Sequence, residues 1–446
     1  MNTNTYVTEV SMTAVKVGIM GVGTVGRGTI ELLTNNRCEI EKKLEKRIEL
    51  LIVASRNIFQ KNILLPTHTI ITEDIFEVVD HPEVEVVVEL IGGSAVAKEA
   101  VLQAIKNGKH VITANKKLLA EYGNEIFAAA EANKVMVKFE ASVAGGIPII
   151  KVLRESLAAN HIAWIAGVIN GTSNFILSKM KDRGANFEAA LAEAQRLGYA
   201  EADPTFDVDG QDAGHKITLL SALAFGIPID FSYCYLEGIT HLQNEDIRYA
   251  NELGYEVKLL SIAKKTPGGI ELRVHPTLIP QSHLLSQVAG VMNAVCVKGN
   301  VVGELLCCGA GAGAAPTASA VAADLMDLVR ELVAETNGSV PQLAYLTSEI
   351  KSLPILSIRE IQTSYYLRIS VRDEIGVLSR LTKILVAHDV SIEVMLQKLD
   401  SATGAAQIVV LTHRTIEENI RKVVGELEAL SSVLRPVVLI RSESFH

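Results

Sequence analysis

A short apolar strand that empties into three spaced glycines constrains this chain most. Val15-Lys16-Val17-Gly18-Ile19-Met20 runs straight into Gly21-Val22-Gly23-Thr24-Val25-Gly26, and the pattern then predicts a helix through Leu33. Gly21 allows the tight turn, Gly23 lets backbone approach a pyrophosphate, and Gly26 lets the helix pack on the strand. The phosphates would sit on the helix N-terminus, against Gly21, Gly23, Thr24, Val25 and Gly26. A Rossmann-type dinucleotide-binding domain with a parallel sheet is expected.

The following strands support that expectation. Ile48 to Ala54 ends in Ser55-Arg56-Asn57. An acid at this end would hold a ribose 2′-hydroxyl, but Arg56 stands there, which suits a 2′-phosphate and hence NADP. Val84 to Leu90 is nearly all apolar, as buried parallel strands are. It ends at Gly92-Gly93, where backbone can approach the nicotinamide half. The strand Val111-Ile112-Thr113 places Lys116 just past a carboxyl end, the edge where open α/β sheets bind ligands. Val135 to Phe139 runs into Glu140-Ala141-Ser142-Val143-Ala144-Gly145-Gly146-Ile147-Pro148. One carboxylate and several carbonyls in this turn suit a monovalent cation, and the same residues also suit a plain hinge.

From about residue 149 the pattern changes to α+β. A helix over Ile150–Leu157, a strand over Ile162–Val168 and the turn Asn170-Gly171-Thr172-Ser173-Asn174 precede GYAEADPTFDVDGQDAGHK at 198–216. Asp212 and Lys216 there are four residues apart and share a helix face. Glu201 and Asp203 lie just upstream. Carboxylates for an ammonium and a cation for an oxyanion are what proton transfer on a small zwitterion needs. An ordinary surface ion pair gives the same spacing. An apolar helix, Ile217–Phe225, follows, and 256–308 alternates strands with loops, expected in a sheet shared across a dimer. GAGAGAAPTASAVAA at 309–323 reads as a small-residue loop leading into a helix near Pro316. Residues this small allow close approach to a flat ligand or close helix packing. Residues 336–363 read as a linker. From 364 onward a βαββαβ pattern fits a ferredoxin-like module of roughly 80 residues.

Composition narrows the function classes. The chain has 446 residues, 48% of them hydrophobic, and a net charge of −9. No basic stripe or tail is present, which argues against nucleic-acid and anionic-membrane partners. Five cysteines, Cys307 and Cys308 adjacent and the others scattered, form neither a disulfide framework nor a metal-ligand spacing. Residues 1–13 read as a loose extension without secretory character, and no apolar run reaches the roughly 18 residues of a membrane span. A cytoplasmic protein with reduced thiols is expected.

GVGTVG, ELIGG, VITANKKLLA, FEASVAGGIPII, INGTSNFIL, GYAEADPTFDVDGQDAGHK and GAGAGAAPTASA occur in that order. Together they resemble the homoserine dehydrogenase family over roughly residues 14–335. YYLRISVRDEIGVLSRL and SIEVMLQK resemble the ACT module, an amino-acid sensor. The resemblance implies an NAD(P)-binding domain over 14–148 completed by 309–335, a catalytic and dimerisation domain over 149–308, and an ACT domain over 364–446. It implies NADP-linked reversible reduction of L-aspartate 4-semialdehyde to L-homoserine, on the route to threonine, methionine and isoleucine. Carried over residue by residue, Lys216 is the proton donor and Lys116 a second active-site lysine against cofactor and substrate. Glu201 and Asp212 bind substrate, and Thr172 lies in the substrate-side turn. Glu140, Val143, Gly145 and Ile147 match a sodium site, the last three through carbonyls, and Gly313 matches a cofactor-contacting glycine.

The ACT loop departs from its usual pattern, with Ile375 where a proline commonly precedes the glycine; Gly376 is retained. Threonine is the expected effector, and a homodimer or homotetramer the expected assembly. No aspartokinase-like segment precedes residue 14, so one activity is expected. Two rivals remain: another amino-acid dehydrogenase of the same fold, and an NADP-binding sensor without catalysis. The sensor would be marked by loss of Lys116, Asp212 or Lys216, and all three are present.

Overall fold

The computed structural model describes residues 13–445 apart from 61–62, 337, 339 and 401–404. The expected extension over 1–13 thus lies outside the described residues except for Thr13. The chain divides into two compact units, one running to Ala158 and resuming over Ala312–Ile350, the other comprising Ala159–Gly311 and Lys351 onward.

The first unit is built on six parallel strands: β1 (Ala14–Met20), β2 (Arg47–Ala54), β3 (Ile70–Thr72), β4 (Val86–Glu89), β5 (His110–Thr113) and β6 (Val137–Lys138). Their spatial order is β3-β2-β1-β4-β5-β6, which reverses direction beside β1 as in dinucleotide-binding sheets. Val17, Ile19, Val86, Val87 and Val88 are fully buried, which explains their continuous apolar character. The helix Ala314–Val333 returns to this core, where Val321, Leu325, Leu328 and Val329 join Val15, Val17 and Ile19. The helix Thr24–Asn35 packs on it closely. A Cβ on Gly28 would stand 2.9 Å from the Ala314 carbonyl oxygen, so the small residues of the returning segment serve helix packing. Part of the expected linker is pinned here too. The Gln342 amide accepts the Val137 N–H at 2.9 Å and donates to the Val135 carbonyl at 3.2 Å, standing in for a neighbour along edge strand β6. The helix expected over 150–157 is a turn of α-helix, Ile149–Lys151, continued as a π-helix, Val152–Ser156.

The second unit carries β7 (Ile162–Val168), β8 (Tyr235–Leu236), β9 (Tyr255–Thr266), β10 (Gly269–Pro280), β11 (Met292–Gly299), β12 (Gly303–Ala310), β13 (Gln362–Arg372), β14 (Ile392–Asp400), β15 (Ala405–Thr412), β16 (Thr415–Ile416) and β17 (Val438–Ser442). Its main path runs β12-β11-β7-β9-β10-β17-β13-β15-β14. The C-terminal βαββαβ module contributes the last four, with helices Val377–Ala387 and Glu417–Glu428 on one face. Strand β17 joins it to β10 through Thr277↔Arg441 and Leu278↔Ser442. Buried ion pairs fix this seam. Arg441 reaches Glu417 at 2.5 Å and Glu237 at 2.7 Å, Arg273 reaches Glu443 at 2.5 Å, and Arg368 reaches Asp246 at 2.6 Å. Removing one member of such a pair strands a buried charge, at a cost of about 3–5 kcal/mol where both partners are buried. No helix among the described residues is long and apolar enough to cross a membrane.

Candidate active site

Helix Gln211–Phe225 carries both Asp212 and Lys216. Gly210 starts it at φ 84°, a conformation open to glycine. Nearly every residue of the helix is buried, so Asp212 and Lys216 are no surface pair: they are 5% and 7% exposed. Lys216 Nζ donates to Asp212 Oδ2 and to the Ile169 carbonyl, each at 2.7 Å. The turn after β7 supplies the next layer. Asn170 caps helix Gly171–Arg183 by accepting the Ser173 N–H at 2.8 Å. Its Nδ2 donates to Asp207 Oδ1 at 2.7 Å and to Asp212 Oδ2 at 2.9 Å. Burial holds the Asp207 carboxyl above its ordinary range, and the Asp212 charge adds to this, while the Asn170 amide and the Lys216 ammonium oppose it. Thr172 donates to the Tyr199 carbonyl at 2.7 Å, tying the same turn to the start of the 199–207 loop.

Glu201 stands apart. It is exposed, and its carboxylate makes no hydrogen bond or ion pair among the described residues. The structure therefore gathers Asp212, Lys216 and Thr172 with Asn170 and Asp207, and leaves Glu201 on the loop rim. Asn170 and Asp207 carry no assigned role in the sequence reading, though their signal is present, as an amide before the Gly-Thr turn and the first acid of the DVDG run.

In the first unit the glycine turn is tight and leaves no room for side chains at Gly21 and Gly26. Gly21 has φ 99°, and a Cβ there would lie 2.5 Å from the Leu90 carbonyl oxygen; one on Gly26 would lie 2.1 Å from the Gly21 oxygen. At Gly23 nothing lies within 4 Å, so this side of the turn is open. Thr24 and Val25 begin the helix behind it. Arg56 follows the carboxyl end of β2, exposed and without an ion pair among the described residues. Gly92 and Gly93 both have positive φ after β4, with open space at each Cβ position. Lys116 opens helix Lys116–Ala132 at the carboxyl edge of β5, and Asn115 caps that helix by accepting the Leu118 N–H at 3.0 Å. Gly313, at φ 114°, precedes the returning helix.

Glu140 lies in the same unit, 6% exposed. Its two oxygens accept the Ile150 and Lys151 N–H groups at 2.9 and 2.8 Å, and its own N–H donates to Asp324 Oδ2 at 2.8 Å. Burial pushes the Glu140 carboxyl up to about 7. Burial, with the neighbouring Glu140 charge, pushes Asp324 up to about 8. Ala144 and Gly145 turn the chain at φ 56° and 53°. The carbonyls of Val143 and Gly145 accept no backbone N–H among the described residues, whereas the Ile147 carbonyl takes the Ile149 N–H at 2.8 Å. The donor set of a buried carboxyl and two carbonyls open to another partner is of the oxygen type a monovalent cation takes, with Ile147 the weakest of the expected ligands.

Comparison with known proteins bears on both units. Residues 21–140 match the model for the NAD-binding domain of homoserine dehydrogenase, 148–326 the model for homoserine dehydrogenase, and 365–432 the ACT domain. A homoserine dehydrogenase of Neisseria gonorrhoeae is 54% identical, over 98% of this chain and 100% of its own length. That of Bacillus subtilis is 37% identical over 95% of this chain and 96% of its own. Among solved structures, a homoserine dehydrogenase from Thiobacillus denitrificans superposes with a TM-score of 0.93 at 53% identity, covering 98% of this chain and 99% of that one. A hyperthermophilic archaeal homoserine dehydrogenase in complex with NADPH gives a TM-score of 0.59 at 28% identity, covering 71% of this chain and 98% of that one.

Proposed function

The chain belongs to the homoserine dehydrogenase family of NAD(P)-dependent oxidoreductases, and from that premise we propose that it interconverts L-aspartate 4-semialdehyde and L-homoserine with NADP(H), using Lys216 as the proton donor. The observation that carries this is the buried Lys216 ammonium, held at 2.7 Å by both Asp212 and the Ile169 carbonyl. The nicotinamide, when bound, supplies hydride to the aldehyde carbon. Charge then develops on the aldehyde oxygen, and a preorganised ammonium both stabilises and protonates it. Asp207 and Asp212, aimed by Asn170, take the substrate ammonium, with Glu201 joining from the exposed loop and Thr172 shaping the turn. Lys116, at the carboxyl edge of β5, serves the cofactor side.

Gly21, Gly23, Thr24, Val25 and Gly26 are assigned to the pyrophosphate, Arg56 to a 2′-phosphate, and Gly92, Gly93 and Gly313 to the nicotinamide side. Glu140 with the carbonyls of Val143, Gly145 and Ile147 would hold a sodium ion. The ACT module is read as the regulatory site. A cavity of 240 Å³ lies against its loop, bordered by Asp373, Glu374, Ile375, Gly376 and Gln397. Its acids suit the ammonium of an amino acid such as threonine. A homodimer or homotetramer in the cytoplasm completes the reading.

The test is the initial rate of NADPH oxidation with L-aspartate 4-semialdehyde, with and without L-threonine. A fast rate suppressed by threonine supports both parts. A fast rate indifferent to threonine removes the effector assignment and points to Ile375. No rate with NADPH still bound favours a sensor.

A further inference from the structure

We propose that Glu89 is a positioning residue, which holds the Gly92–Gly93 turn and the start of helix Lys116–Ala132 in one register. Glu89 ends β4 and is fully buried. Val86, Val87 and Val88 show that an apolar residue satisfies this strand, so a carboxyl here takes on a desolvation penalty that packing does not require. It is met by donors alone. Oε1 accepts the Ile91 N–H at 2.9 Å and the Gly92 N–H at 3.4 Å, and Oε2 accepts the Thr113 hydroxyl at 2.6 Å. Burial raises the Glu89 carboxyl, and these donors, with the Asn115 amide, favour its ionised form.

The circuit continues through β5. Thr113 Oγ1 accepts the Asn115 N–H at 3.0 Å. Asn115 Nδ2 donates to the Gly93 carbonyl at 2.6 Å, and its Oδ1 accepts the Leu118 N–H that caps the helix. Lys116 is the first residue of that helix. Two successive glycines in the left-handed region, with open space beside both, impose no shape of their own. The shape is set from behind, by Glu89 and Asn115. One buried carboxylate thus links the turn assigned to the cofactor with the backbone that aims the assigned catalytic lysine. This inference rests on the reading of Gly92, Gly93 and Lys116 given above.

The test uses the full chain and the variants E89Q, T113V, E89Q/T113V and K116A. Each is measured for kcat with L-aspartate 4-semialdehyde and for NADPH Kd by fluorescence titration. In E89Q one carbonyl oxygen still serves Ile91 and Gly92, but an NH2 group faces Thr113 and accepts nothing. NADPH Kd is therefore expected to hold within about threefold while kcat falls about 10- to 100-fold, as misplaced catalytic groups do. T113V is expected to lose at least as much, because it also removes the acceptor of the Asn115 N–H, and the double variant to be no worse than T113V, since E89Q and T113V share the Glu89–Thr113 link. A residue that only supports the fold would lower thermal stability and leave kcat per folded site unchanged. A kcat within about twofold of wild type in E89Q, or losses that multiply in the double variant, overturns the proposal. If E89Q does not fold, T113V carries the test, and a wild-type kcat there overturns it. An inactive K116A beside a fully active E89Q removes Glu89 alone; a fully active K116A removes the reading beneath it.

Discussion

Lys216 Nζ lies 2.7 Å from Asp212 Oδ2 on a helix face that solvent barely reaches. At a surface the pair would contribute little. Buried, it holds the ammonium in one place, which is what the proposed role toward a developing oxyanion requires. Lys216→Ala is expected to lower kcat by about 10²- to 10⁴-fold, the range of a lost general acid. NADPH affinity should survive, because the glycine turn lies in the other unit. Measuring both on one preparation checks the assignment, and unchanged turnover would remove Lys216 from the chemistry.

Asn170 gives a pH-dependent consequence. Its amide favours the ionised form of Asp207, which burial already disfavours. Asn170→Asp keeps the helix cap but removes that donor and adds a third carboxyl. Asp207 should then ionise at higher pH. Because substrate ammonium needs the carboxylate, KM for L-aspartate 4-semialdehyde should rise as pH falls, and this limb should move to higher pH in the variant. A KM profile that overlays wild type would show that Asp207 does not bind substrate.

Arg56 decides cofactor choice if it meets a 2′-phosphate. Arg56→Ala should weaken NADPH binding by about 10-fold, the loss of one charged hydrogen bond, and leave NADH nearly unchanged. Equal weakening of both in a titration would refute the contact. Arg56 is exposed, so no loss of fold should confuse the result.

Local patterns carried most of this fold in the sequence. The strand, three glycines and helix were legible because each glycine answers a short-range constraint, such as the 2.1 Å clash a Cβ at Gly26 would make with Gly21. The position of Lys116 after β5 and the shared helix face of Asp212 and Lys216 were legible from local order and spacing. Long-range pairs were not. Asn170 meets Asp207 across 37 residues and Glu140 meets Asp324 across 184, and no periodicity encodes either. Glu89 was hidden inside an apolar run, where it read as part of a buried strand. Glu201 matched a motif, yet the fold leaves it on the rim.

The raised Glu140 and Asp324 carboxyls give a prediction for pH, and the proposed sodium site one for salt. Both carboxyls are raised, from 4.5 to about 7 and from 3.8 to about 8. The folded state therefore holds protons that the unfolded state has released above pH 4 to 5. Stability from this pair is fully present below those unfolded values and is lost as pH rises through about 7 and 8. A cation that binds the ionised pair acts oppositely, and its stabilisation grows over the same interval. Melting temperature should thus fall between pH 6 and pH 9 in a tetramethylammonium salt and fall less in sodium chloride of equal strength. Asp324→Asn keeps a carbonyl for the Glu140 N–H and removes one of the two charges. It should flatten the decline by about 1 kcal/mol per pKa unit relieved, about 2 to 4 °C in melting temperature. Equal declines in the two salts would show that this turn holds no sodium, and an unchanged slope in Asp324→Asn would show that Asp324 is ionised throughout.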